Sequence, residues 1–173
     1  MSADDLRARI REIPDFPKPG ILFYDITTLL KDAGAFKEAV DLMTAPFRGE
    51  KVDLVVGMES RGFIFSAPMA IELGAGFVPV RKLGKLPAET VSVEYALEYG
   101  TNTLEIHKDA IAPGQRVLVV DDLLATGGTV VGTIELLTML KAEVVGLAFL
   151  VELTFLTGRD RLSNHKVHSV IEY

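Results

Sequence analysis

Val117-Leu118-Val119-Val120-Asp121-Asp122-Leu123-Leu124-Ala125-Thr126-Gly127-Gly128-Thr129 is the stretch around which the rest of the chain can be read. It opens with four apolar residues, three of them β-branched, which suits a strand buried on both faces. Two carboxylates stand side by side where that strand should end. The small-residue run Thr126-Gly127-Gly128-Thr129 then leads into a helical pattern. A strand, an acidic pair and a small-residue loop opening a helix point to a ligand site rather than to a turn chosen for stability.

The residue types explain which ligand. Glycine lets a backbone approach a ligand closely and adopt unusual dihedrals. A helix start presents unpaired N–H groups and the positive end of the dipole, so it favours an anion such as phosphate. Thr126 and Thr129 add hydroxyl donors. Asp121 and Asp122 have no cationic neighbour in sequence, and acceptor-only carboxylates suit a pair of hydroxyls or a metal ion. Phosphate at one end and hydroxyls at the other describe a ribose 5-phosphate. An Asp-Asp pair can also be a solvated turn and Gly-Gly only a loop, but the whole run is more specific than either pair. Gly127 and Gly132 have P-loop spacing, yet Thr133-Ile134 stands where that motif needs Lys-Ser/Thr, and no Gly-x-Gly-x-x-Gly follows a strand.

Outward from this stretch, apolar strands alternate with amphipathic helices. Helical patterns cover Ala3–Ile13, Gly34–Phe47, Arg61–Leu73 (stopped by Gly74) and Thr129–Lys141, with a helical turn at Gly158–Leu162. Strand patterns cover Val52–Met58, Phe77–Val80, Thr103–Ile106, Gln115–Val120, Glu143–Val151 and His168–Ile171. Lys82–Gly100 has Gly84, Pro87 and Gly100, few large aliphatics and only weak alternation through Val91, Val93 and Tyr95. It reads as a long excursion, a hairpin or lid, and long loops inside compact domains tend to be functional. The expected fold is α/β: one domain over residues 1–173, with a mostly parallel central sheet flanked by helices. Ligands of such sheets bind beyond the carboxyl ends of the strands. Residues 58–62, 81–85 and 121–129 all follow strand ends and should therefore converge.

The composition, 49% hydrophobic and 24% charged, is that of a globular chain. With no cysteine there is no disulfide framework, thiol nucleophile or thiolate metal site, which is compatible with a reducing cytoplasm. Residues 1–12 lack the apolar core of a signal peptide, and the longest apolar run, Val144–Val151, is too short to span a bilayer. A net charge of −6 argues against a general nucleic-acid binder and makes the local cluster Arg81, Lys82 and Lys85 more informative. Arg61 opens a helix after a strand and has a fork suited to phosphate oxygens, although pairing with Glu59 in solvent is an equal reading. His107, His165 and His168 show no convincing metal spacing.

The run Val120–Thr129 resembles the 5-phosphoribosyl-1-diphosphate (PRPP) signature of the type I phosphoribosyltransferases, in the wording of the branch that uses adenine. The resemblance extends from about Phe16 to Leu153. It implies that Asp121, Asp122, Leu124, Ala125, Thr126, Gly127, Gly128 and Thr129 hold the ribose 5-phosphate. Ser60 and Arg61 would form the diphosphate-binding loop, with Arg81, Lys82 and Lys85 serving the same leaving group. Phe16-Pro17-Lys18-Pro19-Gly20-Ile21-Leu22-Phe23-Tyr24-Asp25-Ile26 resembles the family's base-binding hood, placed at about residues 1–30. There Phe23 would stack on one face of adenine and Leu153 on the other, and backbone groups at Leu22 and Tyr24 would read the 6-amino edge. Tyr24 stands where the family often has arginine. A lid at about residues 82–102 would end in Leu97-Glu98-Tyr99-Gly100, with Glu98 as acid/base and Tyr99 closing the site. Mg²⁺ would arrive with PRPP, and a homodimer is implied. The expected reaction is adenine plus PRPP giving AMP and diphosphate, as in purine salvage. A transferase for another base, or a non-catalytic PRPP sensor, are the rivals.

Overall fold

The computed structural model describes residues 1–96 and 100–173. Helix α1 (Ala3–Arg7) begins with a reciprocal cap, the Ser2 hydroxyl accepting from the Asp5 N–H and the Asp5 carboxylate accepting from the Ser2 N–H. It stops well short of the Ile13 expected from periodicity. Leu6 and Ile10 are both buried as the pattern requires, but Arg11–Ile13 form strand β1, antiparallel to β2 (Phe23–Asp25). The Arg11 guanidinium meets the Asp25 carboxylate at 2.6 Å across this pair. Pairing with a later segment thus overrides the local helical tendency. This two-stranded ribbon brackets the segment expected to form the hood.

Helices α2 (Thr27–Leu30) and α3 (Ala33–Thr44) follow, the latter capped by Asp32 accepting from the Ala35 N–H. Then come β3 (Leu54–Met58), α4 (Gly62–Leu73, ended by Gly74 in the left-handed region), β4 (Gly76–Lys82), β5 (Thr90–Ala96) and β6 (Thr101–His107). Strand β7 (Arg116–Leu124) leads through the small-residue loop into α5 (Gly128–Met139), and β8 (Glu143–Glu152) and β9 (Val167–Glu172) complete the chain.

Among the described residues the main sheet has the order β5-β6-β4-β3-β7-β8-β9. The five strands from β4 to β9 in that order are parallel, and β5 and β6 form an antiparallel edge. The mostly parallel sheet is therefore as expected. Among the described residues of the Lys82–Gly100 stretch the weak alternation is a true strand, β5, paired antiparallel with β6 as a hairpin requires. Val91, Val93 and Tyr95 pack inward on one side of β5 while Ser92 and Glu94 face out, so the segment needs few aliphatics.

Strand β7 shows why its apolar run is unbroken. Leu118 and Val120 enter one core with α3 and α4, whereas Val117 and Val119 enter a second core with α5. All four side chains are fully buried, and burying one of this size contributes about 1.5–3 kcal/mol. Because β3, β4, β7 and β8 run parallel, their carboxyl ends share one edge. The chain leaves β3 toward β4 and β7 toward β8, in opposite directions, so a crevice opens between β3 and β7.

Candidate active site

At that edge a cavity of about 440 Å³ gathers Ser60, Arg61, Lys82, Asp121, Asp122 and the loop Leu124-Ala125-Thr126-Gly127-Gly128-Thr129. The three stretches expected to converge do so. Arg81, Lys85, Leu22, Phe23, Tyr24 and Leu153 are not in the cavity lining. Glu98 and Tyr99 lie outside the described residues.

The loop has the features that suit an anion. Gly127 caps α5 with φ +85°, a conformation suited to glycine, and no side chain caps the helix there. No acidic residue occupies the first turn, so its N–H groups face the cavity unopposed by a carboxylate. The loop is backed by the turn Gly158–Leu162. A Cβ on Gly158 would come 2.2 Å from the Ala125 carbonyl oxygen, so only glycine fits. Arg161 donates from Nη1 to the Thr126 carbonyl at 3.3 Å. Arg159 is anchored on the buried Glu152 at 2.9 and 2.5 Å, and Ser169 donates to the same carboxylate. The sequence offered only a glycine and scattered arginines as a signal for this support, far from the motif it serves.

Strand β7 runs on through Leu124, so Asp121 and Asp122 stand in its last residues rather than beyond its end. Asp122 is 5% exposed and meets Arg61 Nε at 2.7 Å, so the acidic pair does have a cationic neighbour, supplied from another strand end. Asp121 Oδ1 accepts from the Asp122 N–H at 2.9 Å. It lies against the first turn of α4, where a Cβ on Gly62 would come within 2.9 Å of it. Part of Asp121 still reaches solvent, but burial by the protein around its carboxyl, followed by the adjacent Asp122 charge, pushes it well above the usual carboxylate range. Arg61 opposes that shift without cancelling it.

Glu59 also lines the cavity and had no role in the sequence reading beyond a possible partner for Arg61. Its carboxylate instead accepts from the Lys82 backbone N–H at 2.5 Å and pairs with Arg81 at 3.4 Å. Burial alone would raise its pKa, but the Lys82 N–H and the Arg81 charge outweigh it and hold the carboxyl below its usual value. One carboxylate therefore ties the Ser60-Arg61 turn to the cationic turn. Glu105 steadies the far side of that turn by accepting from the Gly84 N–H and the Thr90 hydroxyl. The Glu59–Ser60 peptide is cis, as is Phe16–Pro17.

The Phe16–Ile26 segment meets the site through Arg61, whose guanidinium lies 5.8 Å from the centre of the Phe23 ring, itself in edge contact with Phe16. Tyr24 is turned away onto Tyr173, with ring centres 3.9 Å apart. Leu153 donates its N–H to the Leu124 carbonyl at 2.9 Å, which sets it beside the Ala125–Thr129 loop at the end of β8. Tyr95, Asn102, Leu104, Leu123, Val130 and Phe149 complete the cavity lining.

An anion-binding helix start, a carboxylate pair and cations in one cleft suit a phosphorylated sugar. A family model described as the phosphoribosyl transferase domain matches residues 27–170. The adenine phosphoribosyltransferase of Solibacter usitatus is 60% identical over 169 residues, covering 98% of each chain.

The chain belongs to the adenine phosphoribosyltransferase family.

Solved family members agree over the whole chain. The adenine phosphoribosyltransferase of Thermoanaerobacter pseudethanolicus matches with a TM-score of 0.96 and 54% identity, covering 99% of this chain and 100% of that one. That of Saccharomyces cerevisiae, solved with an imino-altritol bisphosphate and adenine, matches with a TM-score of 0.92 and 41% identity over 97% of both chains. The type I phosphoribosyltransferase fold expected from the Val120–Thr129 run is the fold of this chain.

Proposed function

We infer that the protein transfers the 5-phosphoribosyl group from PRPP to adenine, giving AMP and diphosphate. The observation that carries this reading is the single cavity uniting the α5 helix start, the Asp121–Asp122 pair and the Ser60-Arg61 and Lys82 cations. Thr126–Thr129 would receive the 5-phosphate, and Asp121 and Asp122 would accept from the ribose hydroxyls. Ser60, Arg61 and Lys82 would hold the diphosphate. Arg81 and Lys85, which stand beside the cavity, would add positive charge as that group leaves.

Adenine, which the yeast relative was solved with, would enter here between Phe23 and Leu153. At Leu22 and Tyr24 a backbone C=O would accept from the 6-amino group and an N–H would donate to the ring nitrogen. This pattern rejects 6-oxopurines, which present the opposite donors and acceptors. The turning away of Tyr24 supports a backbone contact there. Glu98 would manage the imidazole proton, and Tyr99 would help close the site.

The transition state carries positive charge on the ribose as the bond from C1 to diphosphate breaks. Catalysis then rests on holding the diphosphate, excluding water and placing the base in line. The donor set fits Mg²⁺, which is commonly held by one or two carboxylates together with substrate phosphates. Asp121 and Asp122 would face it, and the ion would supply neutralising charge to the diphosphate oxygens. We place the protein in the cytoplasm, which suits a cysteine-free chain acting on small charged metabolites. Among the described residues no helix is long and apolar enough to cross a membrane.

The deciding measurement incubates the protein with PRPP, Mg²⁺ and each purine and pyrimidine base in turn. Adenine should be converted with kcat/KM at least about a hundredfold above hypoxanthine or guanine. Comparable conversion of a 6-oxopurine would overturn the base assignment and leave the PRPP site standing. PRPP binding with no nucleotide formed from any base would mark a sensor instead of an enzyme.

A homodimer is proposed from the outer face of α4. Apart from Ser66 and Glu72 that helix is built of apolar residues and glycine, Ile71 is 82% exposed, and Phe63 packs edge-on against the exposed Phe77 at 5.7 Å. A helix of this kind is normally covered. Ile71→Glu should raise the dimer dissociation constant about tenfold or more, seen as monomer by size exclusion with light scattering at micromolar protein. An unchanged dimer mass would place the interface elsewhere.

A further inference from the structure

Gly132 shares the P-loop spacing with Gly127, yet the P-loop motif fails and the phosphate chemistry leaves Gly132 unused. Its surroundings give it a role. Gly132 lies one helical turn along α5 from Gly128, and the ring of Tyr95 lies across both. A Cβ on Gly128 would come 3.6 Å from Tyr95 Cδ2, and a Cβ on Gly132 would come 3.7 Å from Tyr95 Cδ1. The bare helix backbone thus forms a shallow seat that admits a methyl at most and nothing larger. Val93 and Leu104 extend the contact, each 3.4 Å from the same point on Gly132.

Tyr95 belongs to β5 and stands directly opposite Asn102 of β6, and both residues line the cavity that holds the phosphate loop. The β5–β6 hairpin is therefore at once a wall of the site and a body packed on the helix whose first turn receives the phosphate. Gly127, the cap of that helix, offers no side chain of its own. The Tyr95 ring is the side chain of the hairpin that lies against both Gly128 in the first turn and Gly132 in the next.

We propose that Tyr95 is a positioning residue for PRPP: seated on Gly128 and Gly132, its ring holds the β5–β6 hairpin against the first turn of α5 and closes that end of the cavity. The ligand named here rests on the PRPP reading above, whereas the seat itself does not.

The test compares Tyr95→Ala with Tyr95→Phe. In the Ala variant the KM for PRPP should rise about tenfold, the scale of one lost aromatic contact. The KM for adenine at saturating PRPP should stay within about twofold, because the base site is not touched. Hydrolysis of PRPP without a base should increase as water enters, and amide exchange at residues 128–132 should speed up. Tyr95→Phe keeps the ring and should match wild type in every measure. A merely structural role would move both KM values together, and that result overturns the proposal. So does an Ala variant with wild-type PRPP KM and exchange, or a Phe variant as impaired as Ala, which would shift the role to the hydroxyl. A wild-type protein that neither binds nor consumes PRPP would overturn the functional reading, and the exchange comparison would still decide whether the seat exists.

Discussion

Glu98→Gln is expected to lower kcat by about two orders of magnitude or more while PRPP affinity changes little. As adenine N9 attacks the ribose carbon, the imidazole portion of the base must lose a proton. A carboxylate beside N7 can accept that proton or stabilise the shift of charge. Help of this kind is typically worth about 10²–10⁴-fold in rate. Glutamine keeps the shape and a hydrogen-bonding group but cannot take the proton. If product release limits turnover, single-turnover rates should still show the loss. Wild-type single-turnover chemistry in the variant would remove Glu98 from the mechanism and leave its segment a steric role.

The second large effect belongs to the acidic pair. Replacing Asp121 and Asp122 together with Asn preserves volume and removes the charge proposed to hold the ribose hydroxyls and the metal. PRPP affinity should fall by about 1.5–3 kcal/mol for each charged hydrogen bond lost, roughly tenfold or more per residue. The fold should survive. The Asp122 partner, Arg61, is half-exposed, so its freed charge can return to water and little stability is at stake.

Asp121 adds a signature in pH. Its folded carboxyl keeps a proton to higher pH than the unfolded one, because burial and the Asp122 charge raise its pKa. The folded state therefore binds more protons in that window, and stability falls as pH rises from the ordinary carboxylate value through the raised one. Asn removes this loss, so the variant should be at least as stable as wild type at neutral pH. On the proposed role of Asp121 as a hydroxyl acceptor, PRPP should bind the wild type more tightly as pH rises through the same pKa, and the variant should lose that dependence. Unchanged PRPP affinity in a folded double variant, measured by calorimetry, would show that the pair is only a turn.

What was legible in the sequence was what the chain makes from neighbours. The strand–loop–helix unit proposed to receive the phosphate could be read from Val117–Thr129 because the strand, the loop glycines, the hydroxyls and the helix start are contiguous in sequence. The sheet and its two covered faces could be read because four successive apolar residues have to be buried on both sides. The convergence of the three strand ends followed from parallel strands alone.

The tertiary structure alone decided what depends on residues brought from elsewhere. Whether residues 11–13 continue a helix or form β1 depended on pairing with β2. The sequence offered Glu59 as a partner for Arg61, whereas Arg61 reached Asp122 and left Glu59 to Arg81 and Lys82, an outcome that only the placement of β3, β4 and β7 could decide. Gly158 behind Ala125 and Tyr95 upon Gly132 are contacts of shape between distant segments, which leave no periodicity in either one. Local sequence encodes backbone conformation and the burial of a face. The partner that a buried charge or a ring finds there is set by packing, and packing is a property of the assembled sheet and helices.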